Sequence, residues 1–336
     1  MYAIQLALVV TLATTAASQC LQIHSVKGNK LIDHVFKRNA GIDLMRCFQN
    51  CKADRQCQSI NFKVNESVCE FNNRTREARP LYFVAVDEWL YFNNPYRTLV
   101  GSNKLLPGIS CKDILDSAGG IALANKDYWI DPANSLTPIS VYCDMKTDGG
   151  GWTLIASTVL STDNETIGEM IREHDYRQIS NYSINNLRID VPALGELRKL
   201  IGFTQMRYFC HKKAVGRTFH IITNKNTKGR NVVDYFTIDN LQQMDSCESY
   251  FRAPGDDSFL ASNCLKWGDD GQKTEIGKWG YYMHNGTHRA YNEPAFWNGT
   301  SKKYFINFIP EHLCCDEDKY NVKPMSKGDI WKLFVR

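Results

Sequence analysis

Beyond its first 18 residues the chain has no run of about 18 apolar residues, the length a membrane-crossing helix needs. A transmembrane span is therefore not expected in residues 19–336. Net charge is also scarce: 40 Lys and Arg face 36 Asp and Glu, leaving +4. So even a balance excludes a strongly basic nucleic-acid binder and a dense acidic surface that nucleates mineral. Catalytic signatures are missing as well. No Gly-x-Ser-x-Gly elbow is present, and no glycine-rich phosphate loop follows a strand. His284 and His288 have i, i+4 spacing, but Gly286 lies between them and the general-base Glu is absent. Neither is expected to hold a metal. No internal repeat, low-complexity tract or heptad pattern is found, which excludes solenoids and coiled-coil oligomers. No catalytic residue is identified, and an enzyme is not expected.

What is present points outside the cell. Residues 1–18 lack charge, carry an apolar stretch over 4–12, and end Ala16-Ala17-Ser18 before Gln19. This is expected to be a secretory signal peptide, leaving a soluble chain from residue 19. Twelve cysteines follow, at 20, 47, 51, 57, 69, 111, 143, 210, 247, 264, 314 and 315. An even count in an exported chain favours disulfides over metal ligation. Six N-x-[ST] sequons, at Asn65, Asn73, Asn164, Asn181, Asn285 and Asn298, predict a glycoprotein.

Residues 19–97 form the first expected module. Asp43 is placed to cap a helix over residues 44–51, on which Cys47 and Cys51 share a face. Residues 60–64 alternate as a strand does, and Cys69-Glu70-Phe71 starts another. A small, loop-rich unit of this kind needs disulfide staples. The pattern resembles PAN/apple domains, and the resemblance implies the pairs Cys47–Cys69 and Cys51–Cys57. That family often joins the two ends of the module by a further bridge. Cys20 stands at the start here, without a partner near Leu90-Tyr91-Phe92-Asn93. Residues 20–97 also hold the chain's whole charge excess, with 12 Lys and Arg against 8 Asp and Glu. Arg74, Arg76 and Arg79 are expected to be a solvated surface; the sharper alternative is a weak polyanion contact.

Residues 98–107, with Gly101, Ser102, Asn103 and Pro107, are expected to be a linker. Residues 108–336 make the second module. It opens Gly108-Ile109-Ser110-Cys111-Lys112-Asp113 and continues with Tyr128-Trp129-Ile130-Asp131-Pro132 and Val141-Tyr142-Cys143-Asp144-Met145. Then come Gly149-Gly150-Gly151, a tight turn, and a strand from Trp152. This closely resembles the start of a fibrinogen C-terminal domain, and Gly328-Asp329-Ile330-Trp331 resembles the start of its closing strand. The resemblance implies a Cys111–Cys143 bridge over about 30 residues, worth 3–4 kcal/mol on a chain-entropy basis. A helix is expected over residues 191–201, and strands over 217–222 and 232–238. Cys20, Cys210, Cys247, Cys264, Cys314 and Cys315 remain unassigned and allow 15 pairings. Adjacent Cys314 and Cys315 are expected to take different partners. Cys20 must reach the second module or another chain, and the intrachain route is preferred.

The fold expected is therefore α+β: a disulfide-stapled PAN/apple module, then a fibrinogen C-terminal-like domain with a mixed or antiparallel sheet. That family commonly binds calcium through an acidic loop before Asn-Cys, which places Asp256 and Asp257 as candidate Ca2+ ligands with Asp269 and Asp270 nearby. The resemblance would put a sugar or peptide pocket among Trp279, Tyr281, Tyr282, Tyr291, Phe296 and Trp297, although these aromatics suit core packing equally well. A sequon at Asn285 opposes the pocket, and Lys327-Gly328-Asp329 fits a structural turn better than an integrin motif. The architecture resembles secreted cnidarian proteins, including those of coral skeletal organic matrix. A secreted adhesion or recognition glycoprotein of the extracellular matrix is expected, with an extracellular protein or glycan as ligand. A calcium-dependent fibrinogen-related lectin of innate recognition is the alternative. A weaker likeness to fibrillar collagen C-propeptides fails for want of any Gly-x-y tract.

Overall fold

A computed structural model describes residues 23–238, 241–272, 275–281, 286, 288–299 and 303–336. The expected signal peptide, Cys20, Tyr282, His284 and Asn285 lie outside the described residues.

In the first module, β1 (Ser25–Leu31), β2 (Val35–Ala40), β3 (Ser59–Lys63), β4 (Val68–Asn72) and β5 (Phe83–Asn93) form one antiparallel sheet. Its order is β1-β5-β3-β4-β2. The helix α1 (Leu44–Ala53) lies across it. Asp43 caps this helix by accepting from Arg46 N at 2.8 Å, and the buried face carries Cys47 and Cys51. A small core of Ile60, Phe62, Phe71 and Phe92, with partly buried Phe36, Ile42, Leu44, Phe48 and Leu90 packed against it, backs the cysteines. So thin a core leaves much of the stability to the Cys47–Cys69 and Cys51–Cys57 bridges.

The second module begins with α2 (Cys111–Ser117), then β6 (Lys126–Ile130), β7 (Ile139–Asp144) and β8 (Trp152–Val159). Between β7 and β8 the three glycines all take positive φ. A Cβ on Gly150 would meet the Met145 carbonyl oxygen at 2.2 Å, so no larger residue fits that turn. A short parallel pair, β9 (Ile171–Glu173) and β10 (Leu187–Ile189), leads into α3 (Val191–Ile201). The chain continues through β11 (Met206–Lys212), β12 (Arg217–Thr223), α4 (Thr227–Thr237) and β13 (Tyr250–Arg252). It ends with β14 (Phe296–Asn298), β15 (Lys303–Asn307), β16 (Cys314–Glu317) and β17 (Ile330–Val335). The main sheet runs β13-β12-β11-β17-β8-β7-β6, so the last strand lies at its centre; β14-β15-β16 is a separate sheet.

Two expectations need correction. Residues 232–238 were expected as a strand from their β-branched and aromatic content, yet all but Ile238 belong to α4. Asn226 caps this helix by accepting from Gly229 N at 2.9 Å. Val232, Val233, Tyr235 and Phe236 all face the core, and that burial overrides propensity. Residues 98–107 are not a free linker either. Val100 and Leu106 belong to the second module's core, and Trp129 N donates to Gly101 O at 2.9 Å.

The two modules meet at one buried carboxylate. Asp113, on α2, is held by Arg79 at 2.6 Å and by Arg74 at 3.2 Å. It also accepts from Ile109 N at 2.8 Å. Arg74 donates as well to Pro107 O, and Gln58 donates to Thr98 O at 2.9 Å. The arginines expected at a solvated surface or polyanion contact are thus spent between modules; only Arg76 stays outward, beside Glu77. Burial alone would raise the Asp113 carboxyl. The two guanidiniums and the Ile109 amide more than offset that and hold it below the usual carboxylate range.

Removing one member of a buried, hydrogen-bonded ion cluster strands the others, so Asp113→Ala should cost about 3–5 kcal/mol in denaturant unfolding. A loss below about 1 kcal/mol, the range of exposed pairs, would contradict this account. Because the folded-state pKa is depressed, the contribution is complete above about pH 4 and falls away as pH drops further. The gap between wild type and Asp113→Ala should therefore narrow on acidification.

Candidate functional site

The second module holds Cys111–Cys143, Cys210–Cys315 and Cys247–Cys264. Of the adjacent pair only Cys315 is bridged; Cys314 carries a buried free thiol, which departs from the expectation of two different partners. Burial, then the nearby Glu317 carboxylate, pushes that thiol up to about 12. It stays protonated at neutral pH and is a poor nucleophile.

The acidic loop does not present free carboxylates. Asp256 accepts from Arg252 Nε at 2.7 Å, from His220 N at 2.6 Å and from the Ser258 hydroxyl at 3.1 Å. Its side chain is wholly buried. Asp257 accepts from Thr218 N at 2.6 Å. Both therefore fasten the loop to the edge of β12. Asp269 and Asp270 turn back on Gly271 N and Gln272 N. Among the described residues no group of three or more His, Cys, Asp or Glu is arranged to hold a metal. A hard cation needs several unclaimed oxygens, and the Arg252 guanidinium already occupies the place of one. The residues present do not fit Ca2+ in this arrangement.

The aromatic residues resolve as packing. Trp279, Tyr291, Phe296 and Trp297 are buried. Trp279 donates to the Ser249 hydroxyl at 2.9 Å. Tyr281 is half-buried and stacks on Phe296, with ring centroids 4.2 Å apart. None of these rings offers an open platform for a sugar. His288 is buried near Tyr291, and burial lowers its pKa, so it is neutral at physiological pH.

A cleft of about 500 Å³ opens instead beside β15 and β16, away from the loops expected to hold a site. Its walls include Glu293, Asn307, Glu311, His312, Lys319 and Tyr320. A neighbouring hollow of about 420 Å³ shares Asn292, Glu311 and His312 and adds Arg172. Lys319 pairs with Glu293 at 3.0 Å, and Glu293 accepts from the Tyr281 hydroxyl. Burial and the Glu293 charge push the Tyr281 hydroxyl far up, so it remains a donor. Glu311 accepts from Met170 N at 2.7 Å. Paired charges and one exposed phenol, set beside the apolar Leu313, Val322 and Met325, suit a ligand with a polar edge and an apolar face. They supply no activated nucleophile. The one trace in the sequence was the polar run from Asp316 to Tyr320 ahead of the closing strand.

Comparison with known proteins matches each module separately. The PAN domain profile fits residues 10–96. The profile of the fibrinogen beta and gamma chains, C-terminal globular domain, fits residues 109–166. The fibrinogen beta chain of Gallus gallus is 45% identical over 51 residues, 15% of this chain and 10% of that protein. Fibrinogen-like protein A of Apostichopus parvimensis is 43% identical over 54 residues, 16% of this chain and 19% of that protein. The chain thus spans a fifth or less of the length of these curated relatives. The fibrinogen-like globe domains of human ANGPTL2 and ANGPTL6 overlay 68% of this chain and 99% and 95% of their own. Their TM-scores are 0.33 and 0.32 at 13% identity. The fold is α+β, a PAN domain followed by a fibrinogen-like domain. Such domains typically recognise and adhere rather than catalyse.

The geometry of Asp256 predicts that millimolar calcium leaves the melting temperature unchanged. Asp256→Ala should lower it equally with calcium or chelator. A calcium-dependent rise, which ligand binding to the folded state would produce, would contradict this. Cys314 should resist iodoacetamide in the native protein and react after denaturation.

Proposed function

We propose that the chain is a secreted, non-enzymatic adhesion and recognition glycoprotein of the extracellular matrix, of the kind found in skeletal organic matrix. The observation that carries the reading is the coupling of two recognition-type modules, each stapled by disulfides, through the buried Asp113 cluster. A binder that bears load between partners needs its sites fixed relative to one another. The five bridges fit an oxidising compartment. Among the sequons, Asn65, Asn164 and Asn181 are exposed and Asn73 and Asn298 half-buried, which leaves room for glycans on the first three. No helix among the described residues is long and apolar enough to cross a membrane. The ligand in this reading is an extracellular protein or glycan, bound at the cleft beside Tyr320, and nucleic acid has no part in it. A disulfide-linked oligomer is compatible with the odd cysteine of the first module.

The alternative, a calcium-dependent lectin, would need carboxylates that Arg252 and the β12 amides do not already hold. The two readings separate on arrays of matrix proteins and glycans probed with the secreted chain. Binding to matrix components that survives chelator, and that Tyr320→Ala weakens about tenfold (about 1.4 kcal/mol), is expected. Glycan binding abolished by chelator would replace this reading with the lectin.

A further inference from the structure

The cleft beside β16 and the hollow next to it share Asn292, Glu311 and His312, so they form one groove with two chambers. The first chamber, of about 500 Å³, has an apolar wall of Leu313, Val322 and Met325. Asn307 also lines it and is only 3% exposed. The Asn307 Oδ1 accepts from Ile309 N at 2.8 Å, which leaves Nδ2 as the donor. That Nδ2 has no hydrogen-bond partner among the described residues. A buried amide donor left unmatched costs free energy until an acceptor reaches it.

The second chamber, of about 420 Å³, brings in the charge. Elsewhere in the groove Lys319 pairs with Glu293 at 3.0 Å, and Glu311 accepts from Met170 N at 2.7 Å. Arg172 is exposed at the second chamber, with no ion pair and no side-chain hydrogen bond among the described residues. Its field reaches the chamber wall: after burial, the Arg172 charge is the next cause that lowers the His288 pKa. A guanidinium is planar and forked, which matches a carboxylate bidentately. Glu311 opposes an incoming anion, so Arg172 and Glu311 act on it with opposite sign.

We infer that the groove takes an extended acidic peptide: an apolar side chain fills the first chamber, a backbone carbonyl accepts from Asn307 Nδ2, and a carboxylate pairs with Arg172. An extended peptide carries its apolar group and its carboxylate on separate side chains, and alternate side chains lie roughly 7 Å apart on one side. That arrangement gives each chamber its own side chain, whereas an acidic sugar carries both features on one ring. The inference rests on the reading of this cleft as the recognition site and names the ligand class for it.

Fluorescence anisotropy of the full chain tests it, with capped, dye-labelled Gly-Leu-Ala-Glu-Gly, its Gln counterpart, and labelled hyaluronate oligosaccharide as probes. The Glu peptide should bind about fivefold more tightly than the Gln peptide (about 1 kcal/mol). Arg172→Ala should abolish that difference and leave the Gln peptide unaffected. Glu311→Gln, which keeps an acceptor for Met170 N, should tighten the Glu peptide alone. In proton NMR, saturating Glu peptide should raise the His288 pKa, because a nearby anion favours the charged imidazole, and the Gln peptide should not. Equal binding of the two peptides, a difference that survives Arg172→Ala, or silence from every probe would overturn the inference. Hyaluronate bound through Arg172 while the peptides stay silent would replace the peptide with a glycan and keep the site. The recognition reading itself fails on a different result, matrix binding that Tyr320→Ala does not weaken.

Discussion

One carboxylate, Asp113, decides whether this molecule is one body or two. It is buried, and a buried charge is tolerated only when partners replace its water. Those partners, Arg74 and Arg79, come from the other module. Neither side can withdraw without stranding charge in a dry seam. Residues 98–107 make the coupling tighter, because Val100 and Leu106 are built into the second core rather than spanning open solvent. His34 adds an acidic limit. Burial and the two guanidiniums keep its imidazole neutral, so protonation as pH falls below its ordinary value of 6.5 opposes the folded joint.

The same device recurs inside the second module. Arg207 pairs with Asp144 at 2.8 Å beneath Trp152 and Phe334, joining β11 to the end of β7. Lys212 pairs with Glu317 at 2.7 Å, and Arg217 with Asp316 at 2.5 Å, next to the Cys210–Cys315 bridge. Ion pairs of this kind cost desolvation, so their gain lies in placement more than in strength. They set the β14-β15-β16 sheet over β11 and β12 in one register, and that register shapes the cleft. The cleft is thus a product of seams, as the joint is.

Local chemistry was legible in the chain. Asp43, Cys47 and Cys51 follow one another at four-residue steps along one helix, and the three glycines act within one turn of chain. Charge balance and cysteine count act through composition alone. Long-range partnerships were not legible: Arg74 and Asp113 are 39 residues apart, and nothing in either neighbourhood marks the other. The acidic loop misled for the same reason. Asp256 looks like a ligand until Arg252 and the His220 amide are brought to it. Helix α4 was missed because Val-Val-Asp-Tyr-Phe-Thr favours a strand locally, while its burial is decided by α3 and the sheet. The aromatic residues of 279–297 were ambiguous in sequence because a stacking platform and a core share one composition.

The central claim is that the Asp113 cluster makes the two modules one rigid unit. Nitrogen-15 relaxation of the full chain measures this directly, because each module reports its own tumbling. A single rotational correlation time for residues 25–93 and 111–335 is the result this account predicts. Faster tumbling of the first module, as for a domain on a flexible tether, would contradict it.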